Sequence, residues 1–320
     1  MKPVIYVTRK VPEDVLQSYR ALFNIRMWEE TEQPVPRSVL LREISQADGL
    51  LCMLTESIDQ ECLAAAKNLK VVANMAVGYD NVNVEAAHER GIVVTNTPDV
   101  LTETTADLTF ALLSATARRI VEASDYIRNG NWTNWSPYLL AGSDIHGKTI
   151  GIAGLGKIGE AVARRAKGFG MSILYHNRSR KEKAEQELGA VYKGFTEMLQ
   201  ESDFVVSLVP LTDETAAMFD ETAFQNMKSS AIFINVSRGG TMDEEALLQA
   251  LTTQRIRAAG LDVFAEEPIS PEHPLLGLQN VVCLPHIGSA SETARTKMLE
   301  LCLTNLNAVL HGQEPLTPVP

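Results

Sequence analysis

The chain reads as two α/β units, each built on a parallel sheet. Three observations point there. Short, continuously apolar runs alternate with amphipathic stretches along the whole chain. Strands buried on both faces need helices over both. The alternation restarts at TIGIAG, residues 149–154. The length, 320 residues, suits about two domains.

In the first unit the predicted strands are VIYVT at 4–8, GLLCML at 49–54, KVVANMAV at 70–77 and VVTN at 93–96. Between them PEDVLQSYRALF and DQECLAAAKNL carry helical periodicity. A long helix-prone stretch, TETTADLTFALLSATARRIVEASDYIRNGNW, follows. Thr102 offers a cap and Asp107 an early-turn acid, and the length suggests a connector between domains. The second unit continues through SILYH, DFVVSLV, AIFINV, AGLDVF and VVCLP. The final helical stretch, SETARTKMLELCLTNLNAVLHG, comes after the last strand. It is expected to return to the first unit, which would then be discontinuous.

Composition excludes several classes. Net charge is −11, which disfavours nucleic acid or an anionic membrane surface as the main partner, since both need a basic face. No apolar run reaches the ~20 residues of a membrane span, and the N-terminal run is too short for a signal-peptide core. Cys52, Cys62, Cys283 and Cys302 show no metal-ligand spacing. Three of them sit in or beside apolar runs, so the reading is buried free thiols, which fits the cytoplasm, and no metal site is expected.

GLGKIG, residues 154–159, has the G-x-G-x-x-G spacing directly after a strand and at the start of an amphipathic helix. Gly154 suits the tight turn, Gly156 lets backbone approach a pyrophosphate, and Gly159 lets helix and strand pack closely. Leu155, Lys157 and Ile158 complete the loop, whose helix N-terminus presents N–H donors to phosphate. One helix later the next strand ends in YHNRSRK, residues 175–181. A ribose 2′-hydroxyl calls for a carboxylate there, yet none appears until Glu182. Asn177, Arg178 and Ser179 instead offer donors and charge suited to a 2′-phosphate, and Arg180 and Lys181 add positive field. A merely solvated basic turn is the competing reading. The position after a dinucleotide fingerprint favours NADPH, with NADH possible and weaker.

Three further strand ends carry reactive groups: Arg238 in INVSRGG, Asp262 and Glu267 in LDVFAEEP, and His286 in LPHIGSAS. Open α/β sheets place ligands at this carboxyl edge. Singly, each residue has a bland role as cap, loop acid or core histidine. Together they can meet at one nicotinamide.

These motifs, with VGYDN at 77–81 and TADLTFALL at 105–113, occur in an order that resembles the D-isomer-specific 2-hydroxyacid dehydrogenase family. The likeness spans essentially the whole chain and is greatest to the glyoxylate/hydroxypyruvate reductase and 2-ketogluconate reductase branch. The resemblance implies Rossmann-like and flavodoxin-like domains with the active site in the cleft between them. It implies a discontinuous substrate-binding domain, 1–99 and 289–320, a dinucleotide-binding Rossmann domain, 100–288, and a homodimer. By resemblance Arg238 binds substrate, Glu267 pairs with His286, and His286 is the catalytic histidine. Val77 and Gly78 offer backbone N–H groups to the substrate carboxylate. Asp262 contacts the nicotinamide carboxamide, while Val236, Ser237 and Gly288 neighbour the nicotinamide. The chemistry fits reduction of a small 2-keto acid to a D-2-hydroxy acid. His286 as imidazolium donates the proton, Glu267 favours that protonated form, and Arg238 holds the carboxylate and polarises the carbonyl.

Glyoxylate and hydroxypyruvate are the first expected substrates and 2-ketogluconate the next. No regulatory extension follows His311, which counts against the feedback-regulated phosphoglycerate dehydrogenase branch. Trp132 and Trp135 suit either a partner subunit's cleft or plain exposed packing. From a different class, a dinucleotide-sensing corepressor-like binding protein would bind cofactor without turnover, and the full Arg238, Glu267 and His286 set disfavours it.

Overall fold

A computed structural model describes residues 2–320. The chain divides into two compact units, Met1–Leu101 with Ala290–Pro320, and Thr102–Ser289.

The first unit holds five parallel strands: β1 Val4–Val7, β2 Asn24–Met27, β3 Gly49–Cys52, β4 Val71–Asn74 and β5 Val93–Thr95. Their spatial order is β2-β1-β3-β4-β5. Every residue of β3 and β4 is buried, as continuous apolar runs covered on both faces should be. The edge strand β2 alternates exposed and half-buried residues, so no apolar run marks it in the sequence. The C-terminal helix Glu292–Leu310 belongs to this unit. A Cβ at Gly49 would stand 2.8 Å from Leu306 Cδ2. That contact brings the helix close over β3.

The second unit holds seven parallel strands: β6 Thr149–Ala153, β7 Ser172–His176, β8 Val191–Tyr192, β9 Phe204–Ser207, β10 Ile232–Asn235, β11 Ala258–Leu261 and β12 Val281–Cys283. Their order is β12-β11-β10-β9-β6-β7-β8. The sequence direction reverses between β6 and β9, the kind of switch point at which open α/β sheets bind ligands. An aromatic cluster anchors one face. Phe233 packs against Phe219 at 4.9 Å and Phe224 at 5.4 Å between ring centroids.

The expected long connector is broken. It forms two helices, Thr102–Ala117 and Ile120–Arg128. Between them Arg119 takes a left-handed backbone, φ 53°, and its guanidinium grips Glu122 at 2.6 Å. Thr102 is the first helical residue, and Asp107 pairs with Arg165 at 2.6 Å. A left-handed turn at an arginine carries no composition signal, which is why the sequence reads as one helix.

Candidate active site

The glycine loop sits between β6 and the helix Lys157–Gly168. Gly154 has φ +96°, and a Cβ there would press 2.7 Å from the Leu208 carbonyl. Its N–H donates to His176 O at 3.0 Å, which ties the loop to the end of β7. A Cβ at Gly159 would fall onto the Gly154 carbonyl, so the helix could not approach the strand as it does. Gly156 differs: a Cβ there meets nothing within 4 Å. The space above it is open and the helix has no side-chain cap. Its first-turn N–H groups and dipole therefore face that space, a fitting seat for a pyrophosphate.

The basic turn is more structured than its sequence suggests. Asn177 Oδ1 accepts from Leu155 N–H at 2.7 Å, so this side chain fastens the glycine loop. Arg180 is committed to Glu185 through two bonds, 3.0 and 2.6 Å. Glu185 also accepts from Tyr175 OH at 2.6 Å, and Tyr175 in turn accepts from Lys181 N–H at 2.7 Å. The expected general field from Arg180 is thus largely compensated. Arg178 is 88% exposed and only loosely paired with Glu214, at 3.7 Å. Ser179 beside it is exposed.

At the carboxyl edge the expected residues converge. His286 follows β12 with φ 54°, a left-handed backbone that non-glycine residues adopt rarely and often at functional sites. Its Nδ1 lies 2.7 Å from Glu267 Oε2. The other carboxylate oxygen, Oε1, accepts from Phe264 N–H at 2.9 Å. Burial pushes the Glu267 carboxyl up, but the His286 hydrogen bond and charge outweigh it. The carboxyl therefore titrates below its ordinary value. Arg238 leads into the short turn Gly239–Thr241, with Nη1 donating to Ser237 O at 2.9 Å. Ser237 is fixed by Asn235 Oδ1 through its own N–H and hydroxyl, at 3.1 and 2.8 Å.

Asp262 is fully buried after β11. Its Oδ1 accepts from Ile287 N–H at 2.8 Å, next to His286. Its Oδ2 is buried without a hydrogen-bond partner; the nearby Gly288 N–H steadies it without reaching bonding geometry. Burial raises the Asp262 carboxyl above the usual aspartate value, and Ile287 N–H and His286 pull it back. A Cβ at Gly288 would lie 3.2 Å from Asp262 Oδ2 and 3.5 Å from both Val236 and Thr105 side-chain carbons. Val236, Asp262 and Gly288 therefore lie side by side around an unused acceptor. A buried acceptor left unpaired is costly, and a carboxamide NH₂ is a donor that fits it. Thr105, the first residue of the TADLTFALL stretch, lies beside these residues.

In the first unit, Val77 and Gly78 lie beyond β4, in a loop fastened by amides. Asn96 Nδ2 donates to Val77 O at 2.8 Å, and Asn74 Nδ2 to Gly78 O at 2.9 Å. Asn81 braces Asn74 and reaches Met53 O and Glu56 O, both at 3.1 Å. With both carbonyls engaged, the Val77 and Gly78 N–H groups have no acceptor among the described residues. Such a pair suits a carboxylate.

The comparisons decide the family. The model for the NAD binding domain of D-isomer specific 2-hydroxyacid dehydrogenases matches residues 110–288. The chain belongs to that family. It is 50% identical to glyoxylate reductases of Thermococcus kodakarensis and Pyrococcus furiosus, covering 100% of this chain and 96% of each relative. Among solved structures, a Thermus thermophilus protein matches with TM-score 0.93 at 44% identity, over 99% of this chain and 100% of that one. An NADPH-dependent glyoxylate/hydroxypyruvate reductase from Sinorhizobium meliloti, in complex with NADP and malonate, matches with TM-score 0.87 at 37% identity. That match covers 100% of this chain and 97% of the other. As a D-2-hydroxyacid dehydrogenase family member, the chain is an oxidoreductase that uses a nicotinamide dinucleotide. Its fold is the family's pair of parallel-sheet α/β domains. No helix among the described residues is long and apolar enough to cross a membrane, and they contain no metal-binding cluster.

Proposed function

We propose that this dehydrogenase reduces small 2-keto acids, glyoxylate first and hydroxypyruvate next, to D-2-hydroxy acids, and that it prefers NADPH. One observation carries the reading. The His286–Glu267 pair, closed at 2.7 Å, stands beside the buried, unused acceptor of Asp262 at one sheet edge. The glyoxylate reductase names of relatives at 50% identity support the substrate class.

Each group then has a role. Asp262 Oδ2 accepts from the carboxamide of the nicotinamide, with Val236, Ser237 and Gly288 around it. The glycine loop 154–159 and the N-terminus of its helix hold the pyrophosphate. Arg178 and Ser179 hold the 2′-phosphate. Bound NADPH supplies the hydride that reduces the substrate carbonyl. Within the first unit, the Val77 and Gly78 N–H groups are donors suited to a carboxylate. Arg238 binds the substrate carboxylate and stabilises charge developing on the carbonyl oxygen. His286 donates the proton to that oxygen from Nε2, because Nδ1 is held by Glu267. The ionised Glu267 stabilises the imidazolium and fixes the tautomer left after transfer.

The active form is a homodimer on this reading. The helix Ile120–Arg128 has no buried residue. Ile120, Val121 and Ile127 on it, with Trp132, Trp135 and Tyr138 beyond, leave a large exposed apolar surface, which a second copy would cover. The complete set of Arg238, Glu267 and His286 disfavours a corepressor-like binding protein. The test is NADPH absorbance with a panel of glyoxylate, hydroxypyruvate, pyruvate and 2-ketogluconate. Turnover of glyoxylate above the others supports the proposal. Tight NADPH binding with no turnover of any keto acid refutes it.

A further inference from the structure

We infer that Glu244 is a positioning residue that sets the distance between Arg238 and the Glu267–His286 pair. The inference rests on the proposed roles of those three residues. Glu244 lies in the first turn of the helix Glu244–Thr252. Its Oε1 accepts from Ala265 N–H at 2.7 Å, and its Oε2 lies 3.3 Å from His273 Nε2. His273 Nδ1 accepts from Leu275 N–H at 3.4 Å, which leaves Nε2 as the protonated nitrogen facing Glu244. The His273 ring also meets Phe264 edge-on, with centroids 6.1 Å apart. One carboxylate thus pins the loop that carries Glu267, two residues before it, and the far end of that loop through His273.

The clamped peptide is a junction. A Cβ at Gly239 would fall onto the Phe264 carbonyl, with Ala265 N close by. The turn that follows Arg238 therefore rests directly on the peptide group that Glu244 fixes. One peptide earlier in the chain, Phe264 N–H holds Glu267 Oε1, and Glu267 Oε2 holds His286. The thiol of Cys283, at the end of β12, is pushed up to about 11, first by burial and second by the Glu244 charge. The titratable groups facing Glu244 are His273 and Cys283. If the carboxylate is withdrawn, the 264–265 peptide loses its side-chain anchor toward that helix. The Arg238 turn and the Glu267 loop can then drift apart. A shift near 1 Å in reacting groups can cost on the order of 100-fold in rate.

The experiment compares Glu244→Ala, Glu244→Asp and Glu244→Gln in the full-length protein. Asp keeps the charge but falls one methylene short of Ala265. Gln keeps the length, and its amide oxygen can still accept from Ala265 N–H, though its NH₂ cannot accept from His273 Nε2. For each variant we would measure the NADPH Kd, kcat and KM for glyoxylate, the pH profile of kcat/KM, and Tm. Ala and Asp should lower kcat roughly 10- to 100-fold with NADPH Kd unchanged. Their alkaline limb should move to lower pH, because a loosened Glu267 supports the protonated His286 less well. Gln should recover most of the rate and the wild-type limb. If Ala fails to fold, the Asp and Gln pair still decides. An Asp variant with wild-type kcat and limb overturns the inference, as does a Gln variant impaired as much as Asp. His286→Asn separates the two layers. If it turns over like wild type, the proton-donor reading is lost. If it is inactive while Glu244→Asp is unaffected, only the role of Glu244 is lost.

Discussion

Arg178→Ala should weaken NADPH and leave NADH nearly untouched, by an amount set by Glu214. Arg178 is 88% exposed and 3.7 Å from Glu214, itself 72% exposed. So open a pair is worth about 0–1 kcal/mol. A hydrogen bond from the guanidinium to a phosphate is worth about 1.5–3 kcal/mol. Docking a 2′-phosphate exchanges the first for the second, a net gain of about 0.5–3 kcal/mol. At about 1.4 kcal/mol per decade, Arg178→Ala should therefore raise the NADPH Kd roughly 2- to 140-fold. Glu214→Gln removes the competitor and should tighten NADPH by up to about fivefold. Arg180→Ala should behave differently. Arg180 is held by Glu185, which also anchors Tyr175. Its loss should loosen the turn and weaken both cofactors alike. The assay is titration of each protein with NADPH and NADH, followed by nicotinamide fluorescence at fixed low salt. Equal losses of both cofactors in Arg178→Ala would refute the 2′-phosphate contact. A Glu214→Gln protein with weaker NADPH binding would refute the competition.

Glu267→Gln should move the alkaline limb of kcat/KM for reduction to lower pH, because the His286 hydrogen bond and charge that hold the Glu267 carboxyl below its ordinary value are lost with the ionised carboxylate. The sign follows from the ionised carboxylate favouring protonated His286. A limb that stays fixed while activity falls would leave Glu267 with a purely steric role. Gly156→Ala should fold with an unchanged Tm, since its Cβ meets open space, yet lose cofactor affinity measured by titration. Normal NADPH binding in that variant would remove the phosphate from this loop. Gly159→Ala, by contrast, places a Cβ on the Gly154 carbonyl and should lower Tm as well. Phe233→Ala, at a fully buried site between Phe219 and Phe224, should cost about 3–5 kcal/mol of stability. A negligible change in the denaturation midpoint would show that this cluster does not anchor the sheet.

The legible parts of the fold were those whose signal is local. β3, β4, β9 and β10 are buried along their whole length, so each is a continuous apolar run. Edge strands β2 and β8 have exposed positions and no such run, and neither was marked in the sequence. The break at Arg119 depends on a left-handed residue held by Glu122, and no composition rule signals it. In the site, the glycines and the strand-end residues Arg238, Glu267 and His286 stood in recognisable motifs. Their partners did not. The pairing of Arg180 with Glu185 is set by how the turn folds, and those of Arg178 with Glu214 and of Ala265 with Glu244 by how separate loops fold. None of the three has a fixed sequence spacing. The free oxygen of Asp262 is likewise a matter of which N–H groups reach it and which stop short.

The most direct test of the account is glyoxylate-dependent oxidation of NADPH by wild type and His286→Asn, with the NADPH Kd of both measured in parallel. The account predicts that His286→Asn binds NADPH as wild type does and loses turnover by at least the ~10²–10⁴ ascribed to a positioned general acid. Near-normal kcat in His286→Asn, with cofactor bound, would contradict it and return this left-handed, carboxylate-paired histidine to a structural role.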